Sequence, residues 1–228
     1  MMHPGLTKAE CEFIIEVADL KNGDRLLDLM CGYGRHSLEL ARNGIHVTAI
    51  DNEPSYINEI NVAAQKDLLP VQASATDVLN TSLSGMYQAA ICMGNSFAFF
   101  NKTDAISLLK KISNVLADDG VLILGSWMIA EIALKHFKPK DWMQVDEYKY
   151  LLSYEYQPFP ARIESEHTVI RNDGATETID GVDYIFTLDE MQQMLNEAGL
   201  KTKHLFSTPR KKKFSLGDPA IYIVAGKK

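Results

Sequence analysis

The chain of 228 residues is short of cysteine, tryptophan and positive charge. Its three cysteines, Cys11, Cys31 and Cys92, are odd in number and scattered. That excludes a disulfide framework and points to a reducing compartment, read here as the cytoplasm. The six histidines, at 3, 36, 46, 136, 167 and 204, show no metal-ligand spacing, and no cysteine pair accompanies them. No metal centre is expected. Long apolar runs are missing: the longest, such as 121–130, fall well short of the ~20 residues of a membrane span. The first residues carry no basic segment leading into an apolar one, so no secretory signal is read. There are 23 Lys and Arg against 30 Asp and Glu, a formal charge of −7. An acidic chain repels phosphate backbones, which weighs against a dedicated nucleic-acid binder. No internal repeat or low-complexity linker breaks the chain, which argues for one domain over 1–228.

What is present is an alternation of apolar strands and amphipathic helices. Thr7-Lys8-Ala9-Glu10 reads as a capping box, opening a helix over about 7–20 that ends near Asn22-Gly23. Buried strands are expected over 25–30, 45–50, 69–73, 89–93 and 120–125. Helices are expected over 34–43, 54–65 and about 103–117, the last with Ile106, Leu109, Ile112, Val115 and Leu116 as its apolar stripe. Near-continuous apolar strands flanked by helices indicate a parallel sheet covered on both faces. The pattern changes over 140–186. Residues 144–186 are rich in Tyr, Val, Ile and Thr, with Asp173-Gly174 as a two-residue hairpin turn. They read as an antiparallel β insertion covering a substrate site, with Tyr148, Tyr150, Tyr154 and Tyr156 alternating along one strand face. A helix returns over 188–198, stopped by Gly199, and strands over about 200–206 and 219–225 flank a loop holding the basic residues 210–213.

The strongest chemical signal is Leu27-Asp28-Leu29-Met30-Cys31-Gly32-Tyr33-Gly34-Arg35. A buried strand ends in an acidic residue, and a Gly-x-Gly turn then opens a helix. Glycines allow a tight turn and close approach of a ligand to the main chain, and the helix N-terminus favours a carboxylate or phosphate. Asp51 follows at the end of the second strand, where a carboxylate can accept from two ribose hydroxyls. Together these describe a nucleoside-containing cofactor above the strand ends. The dinucleotide fingerprint wants a third glycine where Ser37 stands, and Asp28 belongs to no such fingerprint but can engage a charged amino-acid moiety. Asp51 also fits a helix cap ahead of Pro54.

At these residues the chain resembles the class I S-adenosylmethionine-dependent methyltransferases, over about 7–228. LLDLMCGYGRHSLELARNG is similar to the family's first motif, HVTAIDNE to its second, and ASATDV to its adenine-binding segment. AAICMGNSFAFF and LLKKISNVLADDGVLIL resemble the fourth-strand segment and the long helix with the fifth strand. The Gly34-Arg35-His36-Ser37 run is most similar to the broad small-molecule and uncharacterised members, the type-11 and type-25 groups. The fold implied is α/β, a Rossmann-like seven-stranded sheet, mostly parallel with an antiparallel final strand, plus the small antiparallel insertion. The cofactor implied is S-adenosyl-L-methionine. The resemblance implies that Asp28, Cys31 and Gly32 line its methionine tail, that Gly34 opens the helix, and that Arg35 lies near its carboxylate. It places Asp51 on the ribose hydroxyls, Asn52 by the adenine, Asp77 on the adenine amino group, and Ala75 and Thr76 alongside. The Met93 carbonyl would accept from the cofactor ammonium, with Gly94 beside it, and Asn95, Ser96 and Phe97 nearest the methyl. One departure is Met30, where the family usually has a glycine that gives room near the tail.

Methyl transfer needs alignment and desolvation more than a dedicated catalytic group, so no catalytic residue is assigned. A small-molecule acceptor is expected, because the chain is acidic and has a lid-like insertion. RNA or protein acceptors, an NAD-dependent oxidoreductase on a related fold, and a non-catalytic cofactor-binding subunit are the alternatives. Gly94-Asn95-Ser96-Phe97 lacks the two prolines of the Asn-Pro-Pro-Tyr signature of nucleic-acid and protein-amide amine methylation. Only six residues precede Thr7, where many relatives carry a segment closing over the cofactor. An open site and a truncated chain both fit that. The acceptor and the oligomeric state are not legible.

Overall fold

The structure is a computed structural model that describes residues 4–228; His3 lies outside the described residues. In chain order the elements are α1 (Pro4–Val17), β1 (Arg25–Leu29), α2 (Arg35–Arg42), β2 (His46–Asp51), α3 (Pro54–Asp67), β3 (Val71–Ala75) and β4 (Tyr87–Cys92). A 3-10 turn (Ser96–Phe99), α4 (Lys102–Val115), β5 (Leu116–Ser126) and α5 (Ala130–Ala133) follow. Next come β6 (Lys140–Val145), β7 (Tyr148–Pro158), β8 (Ala161–Ile170) and β9 (Thr176–Tyr184). The chain closes with α6 (Leu188–Glu197), β10 (Leu200–Phe206) and β11 (Ile221–Lys227).

The main sheet has the order β10-β11-β5-β4-β1-β2-β3. β1 to β5 pair in parallel, and β11 runs antiparallel to both β5 and β10. This is the expected seven-stranded α/β sheet with its antiparallel final strand. Side chains alternate across it, so the sheet divides two cores. Leu27, Ala90, Leu122, Leu124 and Ile223 pack under α4 and α6. Leu26, Ile91, Ile123 and Val224 pack under α1, α2 and α3 on the other face. Apolar residues at every strand position therefore have a partner on one face or the other. The insertion forms a separate antiparallel sheet, β6-β7-β8-β9. It joins the main body through Ala130 N–H, which donates to Phe186 O at 2.9 Å, and through Asn95 Nδ2, which donates to Asp183 Oδ1 at 3.3 Å.

Several expected boundaries move. The β8–β9 hairpin carries three loop residues rather than two: Arg171 and Ala175 remain bonded, and Gly174, at φ 84°, closes the turn. β5 begins at Leu116, so the helix expected to run to 117 stops two residues short. The tyrosine stripe of β7 splits, because Tyr148 and Tyr156 are exposed while Tyr154 faces a cavity. The basic loop is partly neutralised, with Lys211 paired to Glu16 and Lys212 to Asp218.

The largest correction is at the N-terminus. α1 is helical from Pro4, so Thr7 and Glu10 lie inside it and form no capping box. Glu10 is buried and accepts from Arg35 Nη1 at 2.6 Å and Tyr222 Oη at 2.9 Å, with His36 Nε2 at 3.0 Å. Thr7 Oγ1 accepts a second bond from Arg35 Nη1 at 3.1 Å. Local spacing suggests a cap, but an ion pair 25 residues away and a hydroxyl hydrogen bond 212 residues away take the carboxylate.

Removing one partner of such a buried group leaves the others uncompensated, so Glu10→Ala should cost about 3–5 kcal/mol. Burial alone would raise the Glu10 pKa, but the hydrogen bond and charge of His36 and the charge of Arg35 hold it below its ordinary 4.5. Its contribution is then full above pH 4.5 and lost as pH falls through the lower folded-state value. Urea unfolding of wild type and Glu10→Gln at about pH 6 and about pH 3 checks this. The stability gap between them should shrink in acid, and an unchanged gap would refute it.

Candidate functional site

The carboxyl ends of β1 to β4 open onto one groove. A cleft of about 410 Å³ holds Asp51, Asn52, Glu53, Thr76, Asp77 and Val78 among its walls. A smaller cleft of about 210 Å³ holds Asp28, Cys31, Arg35, Met93 and Gly94. Met30, Gly32 and Ser96 line both, so the groove is continuous across the first turn.

That turn is built by backbone conformation. Met30, Gly32 and Gly34 have φ of 51°, 55° and 77°, in the left-handed region that costs a side-chain-bearing residue about 1–2 kcal/mol. The glycine usual at position 30 thus reflects backbone conformation as well as room. Gly34 is the N-cap of α2, and a Cβ there would stand 2.5 Å from Ile60 Cγ1. A Cβ at Gly32, which lines both clefts, would meet nothing within 4 Å. Gly32 N–H donates to Asp51 Oδ2 at 2.8 Å, and Glu53 N–H donates to Asp51 Oδ1 at 3.0 Å. Asp51 is therefore not the helix cap; Glu53 caps α3 by accepting from Ser55 N–H. Each Asp51 oxygen keeps a second lone pair for a ligand.

Asp28 is buried, and Ser37 Oγ donates to its Oδ2 at 2.6 Å. The residue that breaks the dinucleotide fingerprint thus clamps α2 onto β1. Burial pushes the Asp28 pKa up, opposed by the charge of His36, the Ser37 bond and the charge of Arg35. Burial also pushes the Cys31 thiol up, away from the thiolate form. Asp77 is exposed on the rim, its oxygens held by Leu79 N–H at 2.8 Å and Asn80 Nδ2 at 2.6 Å. The Met93 carbonyl accepts from Ser96 Oγ at 3.2 Å.

Of the residues expected at the cofactor site, Asp28, Cys31, Gly32, Arg35, Asp51, Asn52, Thr76, Asp77, Met93, Gly94 and Ser96 converge on the groove. Gly34 and Ala75 do not line it; Gly34 packs on Ile60, and Ala75 ends β3 opposite Asp51. Phe97 is also misplaced, because the 3-10 turn sends it into the core against Phe100, at 6.4 Å between ring centroids. Phe99 takes its place on the groove. Tyr33 and Tyr56, an exposed edge-to-face pair at 6.5 Å, were not anticipated. Their 23-residue separation carries no local signal.

A third cavity, of about 750 Å³, lies between the insertion and the strand ends. Trp127, Met128, Phe137, Tyr154, His167 and Asp183 are among its walls. Gly94 is shared with the smaller cleft and Phe99 with the larger. Asn95 belongs to this cavity rather than to the groove. At φ 80° its Oδ1 accepts from Ser126 Oγ at 2.7 Å and Met128 N–H at 3.0 Å. Among the described residues no His, Cys, Asp and Glu group could hold a metal, and no helix is long and apolar enough to cross a membrane.

Sheet order and element order are shared with solved methyltransferases. A solved S-adenosylmethionine-dependent methyltransferase of Clostridium acetobutylicum superposes with a TM-score of 0.86, at 18% identity, over 97% of this chain and 92% of that one. An amino pentose methyltransferase of Micromonospora echinaspora, solved with S-adenosylmethionine bound, gives 0.68 at 21% identity over 96% and 92%. Residues 26–120 match the family model described as a methyltransferase domain. A glycine/sarcosine N-methyltransferase of Parasynechococcus marenigrum (strain WH8102) is 31% identical over 120 residues, 51% of this chain and 43% of that protein. The chain thus spans less than half the length of that curated relative. Residues 26–120 thus match a methyltransferase domain, and the whole chain has the fold of these solved methyltransferases.

The two turn glycines should separate by readout. Gly34→Ala meets both left-handed strain of about 1–2 kcal/mol and overpacking of about 1–3 kcal/mol, so thermal unfolding should fall sharply. Gly32→Ala meets strain alone and should lose only about 1–2 kcal/mol, yet it should weaken groove binding of S-adenosylhomocysteine more than Gly34→Ala does. Equal stability losses would show that Ile60 yields freely.

Proposed function

We propose that this chain is an enzyme that transfers the methyl group of S-adenosylmethionine to a small-molecule acceptor. The observation that carries this reading is the junction at Gly94 and Phe99, where the groove with Asp51 and Asp28 meets the cavity under the insertion. The donor set suits the cofactor. Asp51, Asn52, Thr76 and Asp77 offer acceptors and donors to a ribose and base at one end. Asp28 and the Met93 carbonyl suit an ammonium at the other, and Arg35 a carboxylate. When bound, the sulfonium supplies an activated methyl group. The protein's part is to hold the two reactants in line and exclude water, worth roughly 7–11 kcal/mol in well-oriented reactions.

The insertion over 140–186 serves as the lid that shapes the acceptor site, since Tyr154, Ile163, His167 and Asp183 all come from it. A small molecule suits a cavity of about 750 Å³. The pairing of Lys211 and Lys212 with acids weakens the basic loop as an RNA contact. The similarity to a glycine/sarcosine N-methyltransferase supports the same acceptor class. Three free, buried cysteines support a cytoplasmic setting.

Calorimetry should show S-adenosylmethionine and S-adenosylhomocysteine binding, with NAD far weaker. Asp51→Ala should weaken S-adenosylhomocysteine by at least about tenfold, as charge-assisted bonds are worth ~1.5–3 kcal/mol each. Because Asp51 also anchors Gly32 and Glu53, the variant should unfold at lower temperature while keeping native circular dichroism. Unchanged affinity would reduce Asp51 to a loop anchor, and tight NAD binding alone would overturn the methyltransferase reading.

A further inference from the structure

The cavity under the β6–β9 sheet contains a carboxylate that, among the described residues, no lysine or arginine pairs with. Its walls are largely apolar and aromatic, with Trp127, Met128, Phe137, Tyr154 and Ile163. Of its charged residues, Lys138 and Asp141 pair with each other at 3.4 Å. Asp183 forms no ion pair among the described residues. Its Oδ1 accepts from Asn95 Nδ2 at 3.3 Å, and its Oδ2 has no hydrogen-bond partner. On the neighbouring strand, His167 sits four residues from Ile163, the register partner of Asp183, and so on the same face. Its buried Nε2 also lacks a partner. A half-buried carboxylate beside apolar walls is stabilised by a cation that meets it.

We propose, resting on the methyl-transfer reading above, that Asp183 is the acceptor-binding residue and that the acceptor is an amine, held as its ammonium against Asp183 Oδ2. Three features converge on this. The cavity's unpaired charge is negative, its aromatic walls favour a cation, and Asn95 ties Asp183 to the loop that begins at Gly94, where cavity and groove meet.

An ammonium has no lone pair, so its proton passes first to Asp183 Oδ2. The neutral amine and neutral acid that result are the pair a low-dielectric cavity favours. Burial raises the Asp183 pKa, opposed by the charge of His167, in keeping with that exchange. The nitrogen lone pair then forms the bond to the methyl carbon as the carbon–sulfur bond breaks, its electrons remaining on sulfur as a thioether. The positive charge moves to the methylated nitrogen, and Asp183 gives its proton to solvent as the cavity opens.

The test uses the whole chain saturated with S-adenosylhomocysteine and titrated calorimetrically with phenethylamine. 2-Phenylethanol and phenylacetate serve as neutral and anionic counterparts of similar shape. The amine should bind at least tenfold more tightly than either. Asp183→Asn, which keeps an oxygen for Asn95, should weaken the amine at least tenfold and leave S-adenosylhomocysteine affinity unchanged. Absent amine binding, equal or tighter binding of the alcohol or the acid, or an unaltered amine affinity in the variant would overturn the proposal while cofactor binding stands. If Asp183→Asn fails to fold, the wild-type ranking of the three probes decides alone. Failure of the wild type to bind S-adenosylhomocysteine would overturn the methyl-transfer reading and this proposal with it.

Discussion

The bond from Gly32 N–H to Asp51 Oδ2 is the constraint on which the site depends. It ties the turn after β1 to the end of β2, two parallel neighbours that only a crossover helix connects in sequence. A parallel sheet leaves its strand ends side by side, and the turns above them must be held open without filling the space. One carboxylate does so here by accepting from two backbone amides, Gly32 and Glu53, while keeping lone pairs toward the groove. The left-handed φ of Met30, Gly32 and Gly34 follows from the same demand for a tight turn over a cleft.

A second layer of buried polar contacts holds that turn from below. Ser37 clamps Asp28, and Glu10 of α1 gathers Arg35 and His36 of α2 and Tyr222 of β11. Arg35 thus reaches the groove from a fixed stem rather than as a free surface cation. These groups sit where water is excluded, so each contact specifies geometry more strongly than an exposed pair would. The cavity under the insertion is organised differently. Asn95 links the strand-end loop to the end of β5 and to the insertion, through Ser126, Met128 and Asp183.

Much of this was legible in the chain. Apolar strand runs and helical stripes revealed an α/β parallel sheet, since their periodicity follows directly from two-sided burial. The Gly-x-Gly turn, Asp28 and Asp51 marked the groove because their chemistry is local to strand ends. Thr7 and Glu10 misled, because a capping spacing says nothing about partners 25 or 212 residues away. Phe97 misled for a related reason: a 3-10 turn rotates each side chain by about 120°, so Phe99, two residues on, lines the groove while Phe97 enters the core.

The sequence by itself determined the order of elements, the position of the antiparallel insertion and the acidic residues that line the strand-end groove, because these rest on periodicity, glycine conformation and charge at strand ends. Only the tertiary structure decided that Asp51 anchors the turn rather than capping α3, and that Glu10 is buried beneath Arg35. It alone brought His167 and Asp183 of the insertion to the same cavity as Asn95 and Gly94. Those residues stand 72 and 88 positions from Asn95, and no local pattern encodes a contact made by folding one sheet over the edge of another.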